Sequence, residues 1–245
     1  MIFRIFEHEE ELAGFAADQL IETIRSNPNG LMCLATGSTP LLTYQLLVSR
    51  IREQRVDYSN LHFIGLDEWV GIPDTNPGGC HYFLQEHVLK PLEVKKQNYH
   101  LFNGLATDIG KECWAMDEQI RKWNGIDTMV VGIGMNGHIG FNEPRANPDQ
   151  HAYLADLTET TQLVGQKYFA ERTELSKGLT LGMKHFFESR QVLMLANGSH
   201  KADIIRRTMS DPISMEIPAT QIRRHHNAYL LLDTEAAAQL NDDNP

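Results

Sequence analysis

The sequence is short of cationic charge. Its 22 lysines and arginines stand against 32 aspartates and glutamates, a formal net charge of −10 over 245 residues. That balance disfavours generic binding to nucleic acid or an anionic membrane, since both need a surface field of the opposite sign. Cysteine is scarce too: Cys33, Cys80 and Cys113 are odd in number and make no CxxC. A disulfide framework is thereby disfavoured and a reducing compartment favoured. No apolar run approaches the roughly 20 residues of a membrane span. The opening "MIFRIFEHEE" carries acidic residues where a secretory leader has basic ones followed by a long apolar segment. The expectation is a cytoplasmic protein with no nucleic-acid or membrane partner. Metal-ligand spacing is also missing. Among 11 histidines there is no HExxH and no Cys/His cluster, and the adjacent pair in "RRHH" (223–226) rarely makes a site by itself. The expectation is no metal. There is no tandem repeat, low-complexity tract or clear linker, so 1–245 reads as one domain. A chain of that length buries enough apolar surface to need no staple.

What is present is an alternation of strand and helix signals. "IFRIF" (2–6), "LMCLA" (31–35), "LHFIGL" (61–66), "IDTMVVGIG" (126–134), "QVLMLA" (191–196) and "NAYLLLD" (227–233) read as strands. Between them, 11–24 carries Leu12, Ala16, Leu20 and Ile24 at four-residue steps, one face of a helix. Segments 39–54, 81–92, 109–123 and 199–209 also read as helices, with Thr39 able to cap the first and Pro40 in its first turn. Strands apolar throughout belong in a parallel sheet covered on both faces. The fold class read from this pattern is α/β, a doubly wound parallel sheet with helices on both faces. Residues 144–177 are polar and poorly patterned, and read as an insertion over one sheet edge, a lid. The loop 67–80, "DEWVGIPDTNPGGC", follows the third strand.

In an open α/β sheet, ligands collect beyond the carboxyl ends of the strands. Three stretches fall there. "TGSTP" (36–40) joins a strand to a helix start through Gly37, Ser38 and Thr39. Free backbone N–H groups, a positive helix end and two hydroxyls make an anion cradle; the plain alternative is a βα turn. "DEWVG" (67–71) sets Asp67 and Glu68 at a strand end, one of them a general base or both merely an acidic turn. "GMNGHIGFNEP" (134–144) brings Asn136, His138 and Glu143 into one glycine-rich turn. A carboxylate that orients an imidazole gives a proton relay; the alternative is side chains satisfying a tight turn. No Ser or Cys there pairs with His138 as an obvious nucleophile.

Together, "LATGSTP", "LDEWVG" and "GIGMNGHIGFNEP" resemble the glucosamine-6-phosphate deaminase (glucosamine/galactosamine-6-phosphate isomerase) family, over about residues 3 to 235. The resemblance implies a doubly wound, Rossmann-like sheet. It implies conversion of an aminosugar 6-phosphate and water to a ketose 6-phosphate and ammonium, with no cofactor and a small-molecule sugar phosphate as partner. Asp67 matches the base that moves the C2 proton to C1, His138 the group that opens the pyranose ring, and Glu143 and Asn136 its relay partners. Gly37, Ser38 and Thr39 match the phosphate loop, and Lys201 in "GSHK" a phosphate-binding lysine.

The departures from the family pattern lie around the site. Lys167 in "QKYF" stands where the family lid usually carries a phosphate-binding Arg, which keeps charge but loses the bidentate fork. "GCHYFL" (79–84) replaces the usual "SYxxFM", and Arg223 replaces a Gln in "PATQIRRH". "ANPDQHAYLA" replaces the lid residues of allosteric members, which implies no activation by N-acetylglucosamine 6-phosphate. The rival readings are a 6-phosphogluconolactonase-like hydrolase and a non-catalytic sugar-phosphate-binding module. The pair "LDEWVG" and "GHIGFNEP" favours the deaminase over the first. The lack of a basic helix-turn-helix disfavours the regulator form of the second. The choice between glucosamine and galactosamine, and between monomer and homo-oligomer, stays open.

Overall fold

The apolar runs pair side by side in the computed structural model, which describes residues 1–240. In chain order the strands are β1 (Ile2–Phe6), β2 (Leu31–Leu34), β3 (His62–Gly65), β4 (Asp67–Trp69), β5 (Tyr99–His100), β6 (Thr128–Gly132), β7 (Tyr153–Asp156), β8 (Lys177–Thr180), β9 (Gln191–Ala196) and β10 (Ala228–Asp233). The helices are α1 (Glu9–Ser26), α2 (Ser38–Glu53), α3 (Cys80–Leu84), α4 (Ile109–Lys122), α5 (Glu159–Gly165), α6 (Met183–Glu188) and α7 (Ala202–Ser210). Seven strands form one sheet in the spatial order β1-β10-β9-β6-β2-β3-β5, and every pair in it is parallel.

Alternation along each strand explains the two helix layers. Cys33 of β2, Met129 and Val131 of β6 and Val192 and Met194 of β9 point to one face, where Met116 and Ile120 of α4, Phe186 of α6 and Ile205 of α7 cover them. Met32, Leu34, Val130, Leu193 and Leu195 point to the other, against Leu12, Ala16, Leu20 and Ile24 of α1 and Tyr44 and Leu47 of α2. Both faces are therefore dry, which is why these strands are apolar without a break. Local signals agree with the packing. Three glutamates open α1 and Arg25 sits in its last turn, each complementing the helix dipole, and Asp108 caps α4 by accepting from Lys111 N–H at 3.0 Å.

Chain direction reverses at β2. From there the chain steps outward through β3 to β5, then returns to lay β6 on the opposite side of β2. The carboxyl ends of β2 and β6 flank this switch point, where a crevice must open.

Three expectations need correction. Asp67–Trp69, read as loop, is β4, and it belongs to a second, three-stranded antiparallel sheet in the order β4-β8-β7. Segment 144–177, read as an insertion, holds β7, α5 and a 3-10 turn over Gln166–Tyr168. A small third core, Trp69, Ile72, Cys80, Phe141, Ala155, Leu157 and Leu175, packs this segment onto β4. The helix read over 81–92 begins at Cys80 and turns into a π-helical stretch at Gln85–Leu89, where Lys90 N–H reaches back to Gln85 C=O. Thr39 does not cap α2. Gly37 holds the cap position at φ 110°, a left-handed conformation open to glycine, and no side chain caps the helix. Of the domain expected over 1–245, the last five residues lie outside the described residues.

Candidate active site

A cleft of about 180 Å³ opens at the switch point. Gly37 after β2, Asp67 of β4, Cys80 of α3, His138 after β6, Lys167 and Tyr168 after α5, and Lys201 before α7 all line it. These side chains come from six places in the sequence, and the sheet collects them at the carboxyl ends of its strands.

Strand geometry separates the two carboxylates of "DEW". Asp67 faces the cleft. Its neighbour Glu68 points the other way, is 2% exposed, and accepts from the N–H groups of Trp69 (2.8 Å), Cys80 (3.0 Å) and His81 (2.6 Å). Glu68 thus pins the start of α3 and is a structural carboxylate. Desolvation pushes its pKa up to about 7, against the backbone donors that favour its charge. Desolvation also raises Asp67 to about 6, with the Cys80 thiol and the nearby His138 pulling the other way. A carboxylate poised near neutral pH suits a general base.

His138 sits in a tight frame. The turn "GMNG" folds so closely that a Cβ on Gly134 would lie 2.3 Å from the imidazole Nε2, so only glycine fits there. The Thr161 hydroxyl lies 3.0 Å from Nδ1. Glu143 Oε2 is 3.7 Å from the same nitrogen, beyond hydrogen-bonding reach and within electrostatic reach. Nδ1 is therefore engaged on the protein side, and Nε2 remains for the cleft. Behind the ring, Glu143 Oε2 accepts from the Asn136 amide at 2.7 Å and from the Thr158 hydroxyl at 3.1 Å. Asn136 Oδ1 in turn accepts from His138 N–H at 3.2 Å. Burial alone would raise the Glu143 pKa; the proximity of His138 and the surrounding donors outweigh it and bring it down to about 2. Glu143 is thus anionic at every working pH.

The cleft also carries cationic side chains. Lys201 Nζ donates to Ile133 C=O at 2.6 Å. Desolvation, helped by Lys167, lowers its pKa to about 8. Lys167 Nζ lies 4.9 Å from the centroid of the Tyr168 ring, and the Tyr168 hydroxyl in turn lies over Gly37. Two lysines that line one cleft and repel each other are arranged for an anion.

The expected site residues divide into three groups. Asp67, His138, Gly37, Lys167 and Lys201 line the cleft, while Asn136 and Glu143 stand behind His138. Ser38 is exposed, and the Thr39 hydroxyl donates to Asn197 Oδ1 at 2.8 Å, so neither lines the cleft. Away from the cleft, the fold brings His151, His185 and Glu188 together, three metal-capable groups whose ligand atoms lie within 4.8 Å of one another. Their polar atoms are engaged: His185 Nε2 is 2.8 Å from Asp117, and His151 Nε2 is 3.5 Å from Glu188.

A sequence profile for glucosamine-6-phosphate isomerases and 6-phosphogluconolactonase matches residues 7–231. The chain belongs to this glucosamine-6-phosphate isomerase/6-phosphogluconolactonase family. Within the family, it is 35% identical over 235 residues to a glucosamine-6-phosphate deaminase of Thermoanaerobacter sp. (strain X514), covering 96% of this chain and 93% of the relative. It is 38% identical over 229 residues to the putative deaminase AgaI of Escherichia coli (strain K12), covering 93% and 90%. A solved structure described as a monomeric glucosamine-6-phosphate deaminase superposes with a TM-score of 0.94 at 30% identity, covering 98% of this chain and all of that one. A 6-phosphogluconolactonase from Trypanosoma brucei shares the fold, with a TM-score of 0.78 at 19% identity over 98% of each chain.

Seen within the family, the departure at Arg223 lies outside the cleft. Its guanidinium donates to Met209 and Asp211 carbonyls at the end of α7, a structural role. Sequence reasoning missed Thr158, Thr161, Cys80 and Tyr168. The stretch "LTETTQ" does carry the cap signal for α5, a Thr followed by acidic and hydroxyl residues. Nothing local says that the cap also touches Glu143.

Proposed function

We propose that this family member is an aminosugar-6-phosphate deaminase that turns a hexosamine 6-phosphate and water into the ketose 6-phosphate and ammonium. One observation carries the reading: the Asp67 carboxylate and the His138 imidazole face a single cleft that Lys201 and Lys167 also line. Two proton-transfer groups and an anion seat are what this chemistry requires. The C2 hydrogen of an aminosugar is acidic only beside a carbonyl, so the ring must open first.

In this mechanism Lys167, Lys201 and the backbone at Gly37 receive the phosphate and hold one end of the sugar while the other changes shape. His138 Nε2 shuttles the proton that opens the ring; Thr161 and the anionic Glu143 hold its tautomer. Asp67 then takes the C2 proton, and an enolamine forms between C1 and C2. The proton returns to C1, which leaves an iminium at C2. Water adds there and ammonium departs. Segment 144–177 acts as the lid, because Thr158, Thr161, Lys167 and Tyr168 all come from it.

The test is ammonia release from glucosamine 6-phosphate and, separately, galactosamine 6-phosphate, with 6-phosphogluconolactone hydrolysis as the control. Release from either sugar supports the reading, and the ratio of kcat/KM assigns the sugar. Lactone hydrolysis without ammonia release overturns it.

A further inference from the structure

Asp117, His151, His185 and Glu188 have no part in that mechanism, and none of them lines the cleft. Asp117 comes from α4, and His151 stands just before β7, where the lid segment begins. His185 and Glu188 come from α6, three residues apart and so on one face of the helix. The backbone fixes where these side chains stand. Lys184 N–H donates to Gln150 C=O at 3.1 Å. The chain is pressed so closely there that a Cβ on Gly182 would lie 2.2 Å from the His151 carbonyl oxygen. Ala152 N–H donates to Asp117 Oδ1 at 3.1 Å. The lid segment is thereby tied to α4 and α6, and the His151 and His185 rings meet with their centroids 4.7 Å apart.

The contacts that engage these groups are with one another. His185 is buried, and its Nε2 is 2.8 Å from Asp117 Oδ1. His151 Nε2 is 3.5 Å from Glu188 Oε2. One ligand atom from each of His151, His185 and Glu188 lies within 4.8 Å of the other two. Two ligands on a tetrahedral ion with bonds of about 2.0–2.1 Å stand about 3.3–3.4 Å apart. The His151–Glu188 separation is already close to that. A shift of roughly 1–1.5 Å at the exposed Glu188 and half-exposed His151 side chains closes the set. Two imidazoles and a carboxylate suit a borderline transition ion, whereas calcium and magnesium want oxygen alone.

We propose that His151, His185 and Glu188 form a site for a divalent transition-metal ion of the zinc class, with water completing the coordination. Asp117 is the carboxylate that holds the His185 imidazole in place, as ligating imidazoles commonly require. The ligands come from the lid segment on one side and from α6 on the other, so the ion staples the base of the lid to the body of the fold. The site is separate from the cleft and supplies nothing to the chemistry there.

The test is calorimetric titration of chelator-treated protein with zinc, in wild type, His151→Ala, Glu188→Gln and His226→Ala. The last is a control, an exposed histidine outside the cluster. The expected result is a single equivalent of zinc in wild type, bound at least about tenfold more weakly in His151→Ala and Glu188→Gln and unchanged in His226→Ala. Excess zinc should also raise the melting temperature of wild type and not that of His151→Ala, since an ion that binds only the folded chain stabilises it. Melting without metal checks that each variant folds, and either of the two cluster variants suffices. Wild-type affinity on the order of millimolar or weaker overturns the proposal. So does zinc bound equally well by wild type and both cluster variants, which would place the ion on other side chains.

Discussion

The sharpest contrast at the residue scale is between two carboxylates. Asp67 is pushed up to about 6 by desolvation, and Glu143 is held down to about 2 by its donors and His138. Environments that drive two acids apart mark different duties. Asp67 is charged above about pH 6 and must be charged to act, so kcat/KM is expected to fall below that pH; a pH–rate profile checks it. Asp67→Asn is expected to lose about 10²–10⁴ of kcat/KM. The same variant is expected to melt higher at neutral pH. A raised folded pKa means that the charged form costs stability above it, and asparagine removes that cost. Each kcal/mol regained raises Tm by roughly 2–4 °C in a chain of this size. Glu143 has the opposite sign. Its depressed pKa contributes stability that is present above about 4.5 and is lost as the pH falls toward about 2. In Glu143→Gln, the difference in stability from wild type should therefore shrink across that window in acid titrations of unfolding. Much of this was legible beforehand, because Asp67, His138 and Glu143 each follow an apolar run and a strand end is where a ligand waits. The hydroxyls of Thr158 and Thr161 were not, since a hydroxyl in a polar stretch carries no sign of what it will touch.

At the scale of elements, the long apolar strands and the helices with a four-residue apolar step were readable because one local period decides each. The second sheet was not. β4 and β7 are three and four residues long, mix polar with apolar side chains, and share a partner, β8, that lies far along the chain from β4. Its position matters for the site, because β8 ties the strand that carries Asp67 to the segment that carries Thr158 and Lys167. Thr158 does two things there: it caps α5 through Thr161 N–H and donates to Glu143. Thr158→Ala is expected to cost about 1 kcal/mol through the lost cap. Hydrogen exchange should then quicken over α5 and leave β6 unchanged, with a drop in kcat/KM accompanying it. Uniform exchange across the molecule would show that α5 does not open by itself.

The whole molecule is an anion of formal charge −10 that is proposed to bind a phosphate, so its few inward-facing lysines carry the burden. Lys201 is lowered to about 8, and above that pH it loses the charge that a phosphate needs. KM for the sugar phosphate is expected to rise on the alkaline side of pH 8. Lys201→Met should raise KM by about tenfold or more at neutral pH, a loss of roughly 1.4 kcal/mol, and abolish that alkaline rise. Inhibition by inorganic phosphate, compared in the two proteins, checks that the contact is to the phosphate end. One feature of the sheet reaches beyond catalysis. β1 sits at its edge with β10 as its neighbour, and Ile2 lies beside Tyr229. On the ribosome, Ile2–Phe6 emerges long before Ala228–Asp233, its neighbour in the sheet, and waits for that strand to follow. At about 5–20 residues per second the wait is on the order of ten seconds or more. During that time the strand edge is open to other nascent chains, so β1 waits longest for its place in the sheet.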